Sequence, residues 1–182
     1  RNRKQYRYHS NWNELRNRTK FSKLLLFGEK LPLLRLQLEK DLSRKDLGLE
    51  KILATAISLM ERTYIRIGNS EYEKTNGSFG LTTLKDQHVK IDGTTMQFLF
   101  KGKKGISHKI TLTNAKLARI VKQSRDIPGK ELFQYYDENG NTHSIDSGMV
   151  NRYIREITGE EFTAKDFRTW AGTLNALEAF KE

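Results

Sequence analysis

Three short basic signatures stand far apart in this chain: Tyr64-Ile65-Arg66-Ile67-Gly68-Asn69, Phe100-Lys101-Gly102-Lys103 and Lys165-Asp166-Phe167-Arg168-Thr169-Trp170. Between them they supply two arginines and a lysine. These are the groups that hold and neutralise a phosphodiester while charge spreads over its oxygens in the transition state. Such a displacement also needs a nucleophile, yet the chain ends at Glu182, shortly past Arg168, with no candidate after it. The residues therefore read as most of a phosphoryl-transfer site, with the attacking residue expected beyond the segment.

Taken singly, each signature has an ordinary explanation. Lys165 and Arg168 lie three apart on the first turns of a predicted helix and point the same way. Beside a helix N-terminus they suit a phosphate, but alone such a pair is more often surface charge. Lys103, in Gly102-Lys103-Lys104-Gly105, occupies the tip of a predicted hairpin, where turn chemistry alone explains it. Arg66, just before Gly68-Asn69, is equally placed to cap a helix C-terminus. The combination changes the odds.

The ordered pattern Arg66-Ile67-Gly68, Phe79-Gly80-Leu81-Thr82-Thr83-Leu84-Lys85, Gly102-Lys103 and Lys165-Asp166-Phe167-Arg168-Thr169-Trp170 resembles the type IB DNA topoisomerases, the poxvirus-like and bacterial branch most closely. The resemblance runs from Gln5-Tyr6-Arg7-Tyr8-His9 through Ala171-Gly172-Thr173. It implies that Arg66 and Arg168 contact the non-bridging oxygens of the scissile phosphate and that Lys103 is the general acid for the departing 5′-oxygen. It further implies DNA contacts by Lys165, Tyr72, Arg7 and Tyr8. The family continues with a histidine and a tyrosine that forms a 3′-phosphotyrosyl link; neither stands in that context here, and the chain alone is expected to be inactive. The nearest rival is a tyrosine recombinase, which usually has His-x-x-Arg where this chain has Lys165-Asp166-Phe167-Arg168. A DNA-binding module without catalysis is the third reading.

Composition agrees with a polyanionic partner. The chain has 182 residues and a net charge of +11, and its first thirty residues hold nine Lys/Arg against Glu14 and Glu29. That concentration favours nucleic acid through counterion release, and the interleaved Tyr6, Tyr8, His9 and Trp12 offer planar faces to sugars and bases. With 36% hydrophobic and 30% charged residues the composition suits a folded domain. No apolar run approaches the ~20 residues needed to cross a bilayer. Zero cysteines exclude disulfides and thiolate metal sites. His9, His88, His108 and His143 are scattered without metal-ligand spacing, and His108, near the hairpin, reads as a strand residue or a phosphate contact. Asp137-x-Asn139-x-Asn141 reads as a polar turn, not a calcium loop. No Walker loop or dinucleotide fingerprint is present, so neither metal nor nucleotide cofactor is expected. The expected partner is duplex DNA, with no membrane, the expected state a monomer, and the expected location the cytoplasm, on the bacterial nucleoid.

The elements that must position these residues are legible from periodicity. Residues 1–9 read as extended, with a helix from Asn11 to Phe27 stopped by Gly28 and a second from Pro32 to Leu42. Leu49, Ile52, Leu53, Ala56, Ile57 and Met60 mark a helix with one apolar face. Strands are predicted near 82–85, 88–92, 96–101 and 106–111. Thr113 starts a helix, Ser147 opens another closed by Gly159, and Thr163-x-x-Asp166 caps the last. The last helix is expected to bury Phe167, Trp170, Ala171, Leu174 and Leu177. The fold class is α+β: one partial catalytic domain of the topoisomerase IB/tyrosine recombinase type over 1–182. It is helical over 1–78, with a small antiparallel sheet at about 79–111 and helices over 112–182. An N-terminal DNA-clamping domain and the C-terminal nucleophile segment are expected to lie outside it.

Overall fold

The computed structural model describes residues 10–181, with side chains from Ser22 onward. A single helix, α1, runs from Ser10 to Leu42, straight through the Gly28 and Pro32 expected to divide it. Pro32 has no N–H for the carbonyl of Gly28, a cost of about 3 kcal/mol, and Gly28 adds roughly 1. Against this, Leu24, Phe27, Leu31, Leu34, Leu38 and Leu42 recur at three- and four-residue steps and are all buried. At about 1.5–3 kcal/mol per buried side chain, that stripe wins. Gly28 has a packing role instead: a β-carbon there would lie 2.5 Å from the ring of Trp170.

Helix α2 (Leu49–Thr63) is buried along almost its whole length and forms the middle of the domain. It ends at Tyr64, a left-handed residue (φ 57°, ψ 17°) whose N–H bonds back to Met60. A short helix not foreseen from sequence, α3 (Ser70–Asn76), follows; Asn69 accepts from the Glu71 N–H at 2.7 Å, and Gly77 closes it.

The sheet has three strands where four were expected: β1 (Val89–Asp92), β2 (Thr95–Lys101) and β3 (Ser107–Thr113), antiparallel in that order. Its inner face carries Met96, Phe98 and Phe100 into the core. The predicted strand at 82–85 is instead a tight 3₁₀ turn, Leu81–Thr83. Its first two N–H groups are spent on the carbonyls of Arg66 and Ile67, at 2.9 and 2.8 Å, so no ladder partner is left to it.

Helix α4 (Ala115–Arg125) begins two residues later than expected, because β3 keeps Thr113 and the Asn114 side chain caps the Leu117 N–H at 2.9 Å. A two-stranded hairpin, β4 (Gln134–Tyr136) with β5 (Thr142–Ser144), interrupts the stretch expected to be helical. Its turn is the polar one expected: Asp137 accepts from the N–H groups of Asn139 and Asn141 and from His143. The His143 bond, then those from Asn141, hold the Asp137 carboxyl down at about 2.

Helix α5 (Ser147–Thr158) is capped by Asp146 and closed by Gly159 at φ 69°. Helix α6 (Ala164–Ala179) opens on the expected Thr163–Asp166 capping box. Its predicted apolar side holds only as far as Trp170. Phe167 is buried, whereas Leu174 and Leu177 are 40% and 53% exposed, because the second half of α6 stands clear of the described residues.

One buried polar cluster ties α1 to α5. The Tyr153 hydroxyl donates to Asp41 at 2.6 Å, and Gln37 and Arg44 donate to the same carboxylate. Burial raises the Asp41 pKa, but these donors outweigh it and hold the group below 3.8. Tyr153→Phe is expected to cost about 1.5–3 kcal/mol at neutral pH, since a buried carboxylate loses a donor. A carboxyl depressed in the folded state stabilises above its unfolded pKa and loses that contribution as pH falls through the folded one. Urea titrations should therefore show the gap to wild type closing in strong acid.

Candidate active site

Arg66 lies in the irregular segment between α2 and α3, and backbone chemistry holds it there. Its carbonyl and that of Ile67 accept from Leu81 and Thr82, and the Thr82 hydroxyl adds a third bond to Ile67 at 3.0 Å. The approach is close because two glycines meet. A β-carbon on Gly80 would lie 2.5 Å from the Arg66 carbonyl oxygen and from the Gly68 backbone, and Gly68 has a positive φ of 92°. The arginine side chain is left exposed at the end of a fixed strut.

Lys103 stands on the tight turn joining β2 to β3, as expected of a hairpin tip. Lys104 and Gly105 both take left-handed conformations there (φ 66° and 74°). The base of the turn is closed by Gly102 N–H to the Ile106 carbonyl at 2.8 Å. It is braced by His108, whose ring stacks on Phe100 with centroids 5.1 Å apart. A β-carbon on Gly102 would meet that ring at 2.5 Å. Phe79 ties the Arg66 neighbourhood to this hairpin, its N–H bonding the Lys101 carbonyl at 2.8 Å.

Arg168 comes from α6, and the start of that helix is tightly fixed. A single oxygen of Asp166 accepts from the Thr163 N–H at 2.8 Å, the Thr163 hydroxyl at 3.1 Å and Lys23 at 3.3 Å. The Ala164 N–H is taken by Asn151 of α5 at 2.9 Å. These backbone donors are thus satisfied internally, and side chains are the cations the site offers. The Arg168 guanidinium donates to the Tyr64 carbonyl, which orients it toward the segment bearing Arg66.

Arg66, Lys103 and Arg168 line a common cavity of 190 Å³ with Tyr64, Phe79, Phe100 and His108. The same three cations also border an adjoining open groove of 810 Å³ that runs along α6 past Lys165. Burial lowers the pKa of Arg168, and the charge of Arg66 lowers it further. Two guanidiniums that repel one another, with no salt bridge to an acid among the described residues, form a site suited to an anion. Lys165 is exposed on the groove, whereas Tyr72, 61% exposed on α3, lines neither cavity. Arg7 and Tyr8 lie outside the described residues. Sequence reasoning missed the Tyr64 carbonyl as the anchor of Arg168, because a left-handed tyrosine at a helix end leaves no compositional signal. It reached His108 only as a strand residue or phosphate contact; the ring's place against Gly102 depends on strand pairing.

This geometry is matched by relationship. Residues 9–182 match the family model of the eukaryotic DNA topoisomerase I catalytic core, and the chain belongs to that family. It is 31% identical over 181 residues to the DNA topoisomerase 1B of Acanthamoeba polyphaga mimivirus, an alignment covering 97% of this chain and 54% of that protein. The chain thus spans about half the length of the relative it matches. Among solved structures, the XerH site-specific recombinase bound to difH substrate, in a pre-cleavage complex, is similar in fold. It has a TM-score of 0.52 and 17% identity over 83% of this chain and 42% of that one. The post-cleavage complex with a palindromic difH substrate gives 0.53 and 15%, over 83% and 41%. The expected α+β fold of the topoisomerase IB and recombinase type is therefore borne out. Among the described residues no helix is long and apolar enough to cross a membrane.

Proposed function

We propose that this chain is the front of the catalytic domain of a type IB topoisomerase, which relaxes supercoiled duplex DNA by transesterification. The observation that supports this is the single cavity lined by Arg66, Lys103 and Arg168, three cations far apart in sequence. A tyrosine oxygen, supplied by the part of the protein beyond this chain, attacks the scissile phosphorus. The bond from phosphorus to the 5′-oxygen breaks, and Lys103 passes a proton to that oxygen. Arg66 and Arg168 hold the non-bridging oxygens, and their attraction grows as charge accumulates there. The phosphate is kept in a 3′-phosphotyrosyl linkage, so religation is the same step reversed and draws on no ATP or metal ion. Lys165, Tyr72, Arg7 and Tyr8 contact the flanking DNA.

The 182-residue chain is expected to bind duplex DNA with an affinity that falls steeply with salt. It is also expected to leave supercoiled plasmid unrelaxed and without a covalent adduct. Relaxation by this chain together with a protein–DNA adduct would refute the assignment of the nucleophile. Failure of the full-length protein to relax plasmid would refute the topoisomerase reading. The fold is shared with a recombinase, but Lys165 in place of the histidine usual in that family favours relaxation over strand exchange.

A further inference from the structure

Helix α3 carries Tyr72 and buries none of its residues, so apolar packing does little to fix it. What joins it to the domain is electrostatic. Lys85 places its ammonium 2.9 Å from Glu73 of α3 and 3.0 Å from Glu131, and Glu131 in turn accepts from the Ser144 hydroxyl of β5 at 2.8 Å. All three charged side chains are only 22–25% exposed, so solvent screens them less than a surface pair. Burial lowers the pKa of Lys85, but the hydrogen bonds it donates to Glu73 and Glu131 more than offset it.

The lysine projects from a fixed base. Its backbone N–H donates to Nδ1 of buried His88 at 3.0 Å, and the His88 ring packs on Phe79 with centroids 4.3 Å apart. Residues 80–85 therefore clasp residues 66–73 at two points: backbone bonds at Arg66 and Ile67, and the ion pair at Glu73. The first point sets Arg66; the second sets the helix four to ten positions further on.

We infer that Glu73, Lys85 and Glu131 are positioning residues that hold α3 so that Tyr72 meets the DNA flanking the site. The inference rests on Tyr72 being a DNA contact, as proposed above. Among the described residues, breaking the latch leaves the helix without an ion pair to the rest of the domain, and ordering it then costs entropy when DNA binds.

A double-mutant cycle on duplex affinity of the 182-residue chain tests this. Lys85→Met and Tyr72→Ala are each expected to weaken binding roughly tenfold. The double variant should bind no more weakly than Tyr72→Ala alone, because the lysine acts through the tyrosine. Lys85→Arg should restore affinity, and Glu73→Gln, a milder change, should reproduce part of the loss with the melting temperature nearly unchanged. Multiplying effects, wild-type binding by Lys85→Met, or losses that merely track unfolding at the assay temperature would overturn the inference. Wild-type binding by Tyr72→Ala would also overturn it while leaving the arginine site intact. Cleavage unaffected by loss of Arg66 or Arg168 would instead strike at the reading of the site.

Discussion

Replacing Lys103 with alanine is expected to slow DNA cleavage by the full-length protein about 10²–10⁴-fold while leaving duplex affinity close to unchanged. The size follows from the leaving group. An unprotonated 5′-alkoxide departs poorly, and a positioned acid is worth that factor. Affinity is spared because Lys103 is one exposed cation in a chain carrying a net charge of +11. In the structure the lysine has a fixed base. It sits on a tight turn braced beneath by His108 and Gly102, and it faces the cavity it shares with both arginines. Single-turnover cleavage of a labelled duplex measures the effect. A substrate with sulfur in place of the 5′-oxygen isolates the cause: a thiolate leaves without a proton, so the Lys103→Ala deficit should largely vanish on it. An equal deficit on both substrates would remove Lys103 from the role of acid. A binding module without catalysis would show the opposite pattern, with weakened affinity and no cleavage step to lose.

How much of this was readable in the amino-acid order depends on range. Helices α2, α5 and α6 were legible because capping residues and apolar repeats act locally: Gly159 ends α5, and Thr163 with Asp166 starts α6. Helix α1 was misread at Gly28 and Pro32 because local propensity there opposes the helix, and only a stripe of side chains packed on distant elements overrides it. The missing strand at 82–85 has the same origin. Its residues favour a strand, but the N–H groups of Leu81 and Thr82 are claimed by Arg66 and Ile67, fifteen positions earlier, and those of Thr83 and Leu84 by the turn itself. In the site, the three cations could be named from their motifs, since charge and spacing survive in sequence. What fixes them could not: the Gly68–Gly80 contact and the Tyr64 carbonyl each join segments whose pairing exists only after folding.

Arg168→Ala is the second large effect, a loss of about 10²–10³ in cleavage rate, by analogy with other preorganised anion holes. Truncation removes two things together: a donor to the phosphoryl oxygens and the tether to Tyr64. Arg168→Lys should recover little of the loss. A lysine keeps the charge but not the planar fork, which on the proposed reading is divided between the Tyr64 carbonyl and the phosphate. Arg66→Ala is expected to fall in the same range, for it contributes the opposing guanidinium. On the proposed reading the two act on one phosphorus centre, so the double variant should be less impaired than the product of the singles predicts. Binding gives an independent readout, because each lost phosphate contact lowers the salt slope of duplex affinity by about one. Relief of charge repulsion works against that loss. With Arg66 removed, the lowering of the Arg168 pKa that it causes disappears, and in the unbound protein the remaining guanidinium is the more comfortable of the two arrangements. On the proposed reading a phosphate between the two guanidiniums offsets this repulsion, and its attraction to them is strongest in the transition state, where its oxygens carry the most charge. Rate should therefore suffer more than affinity in either single variant, and equal losses in both would mean that the arginines merely bind DNA.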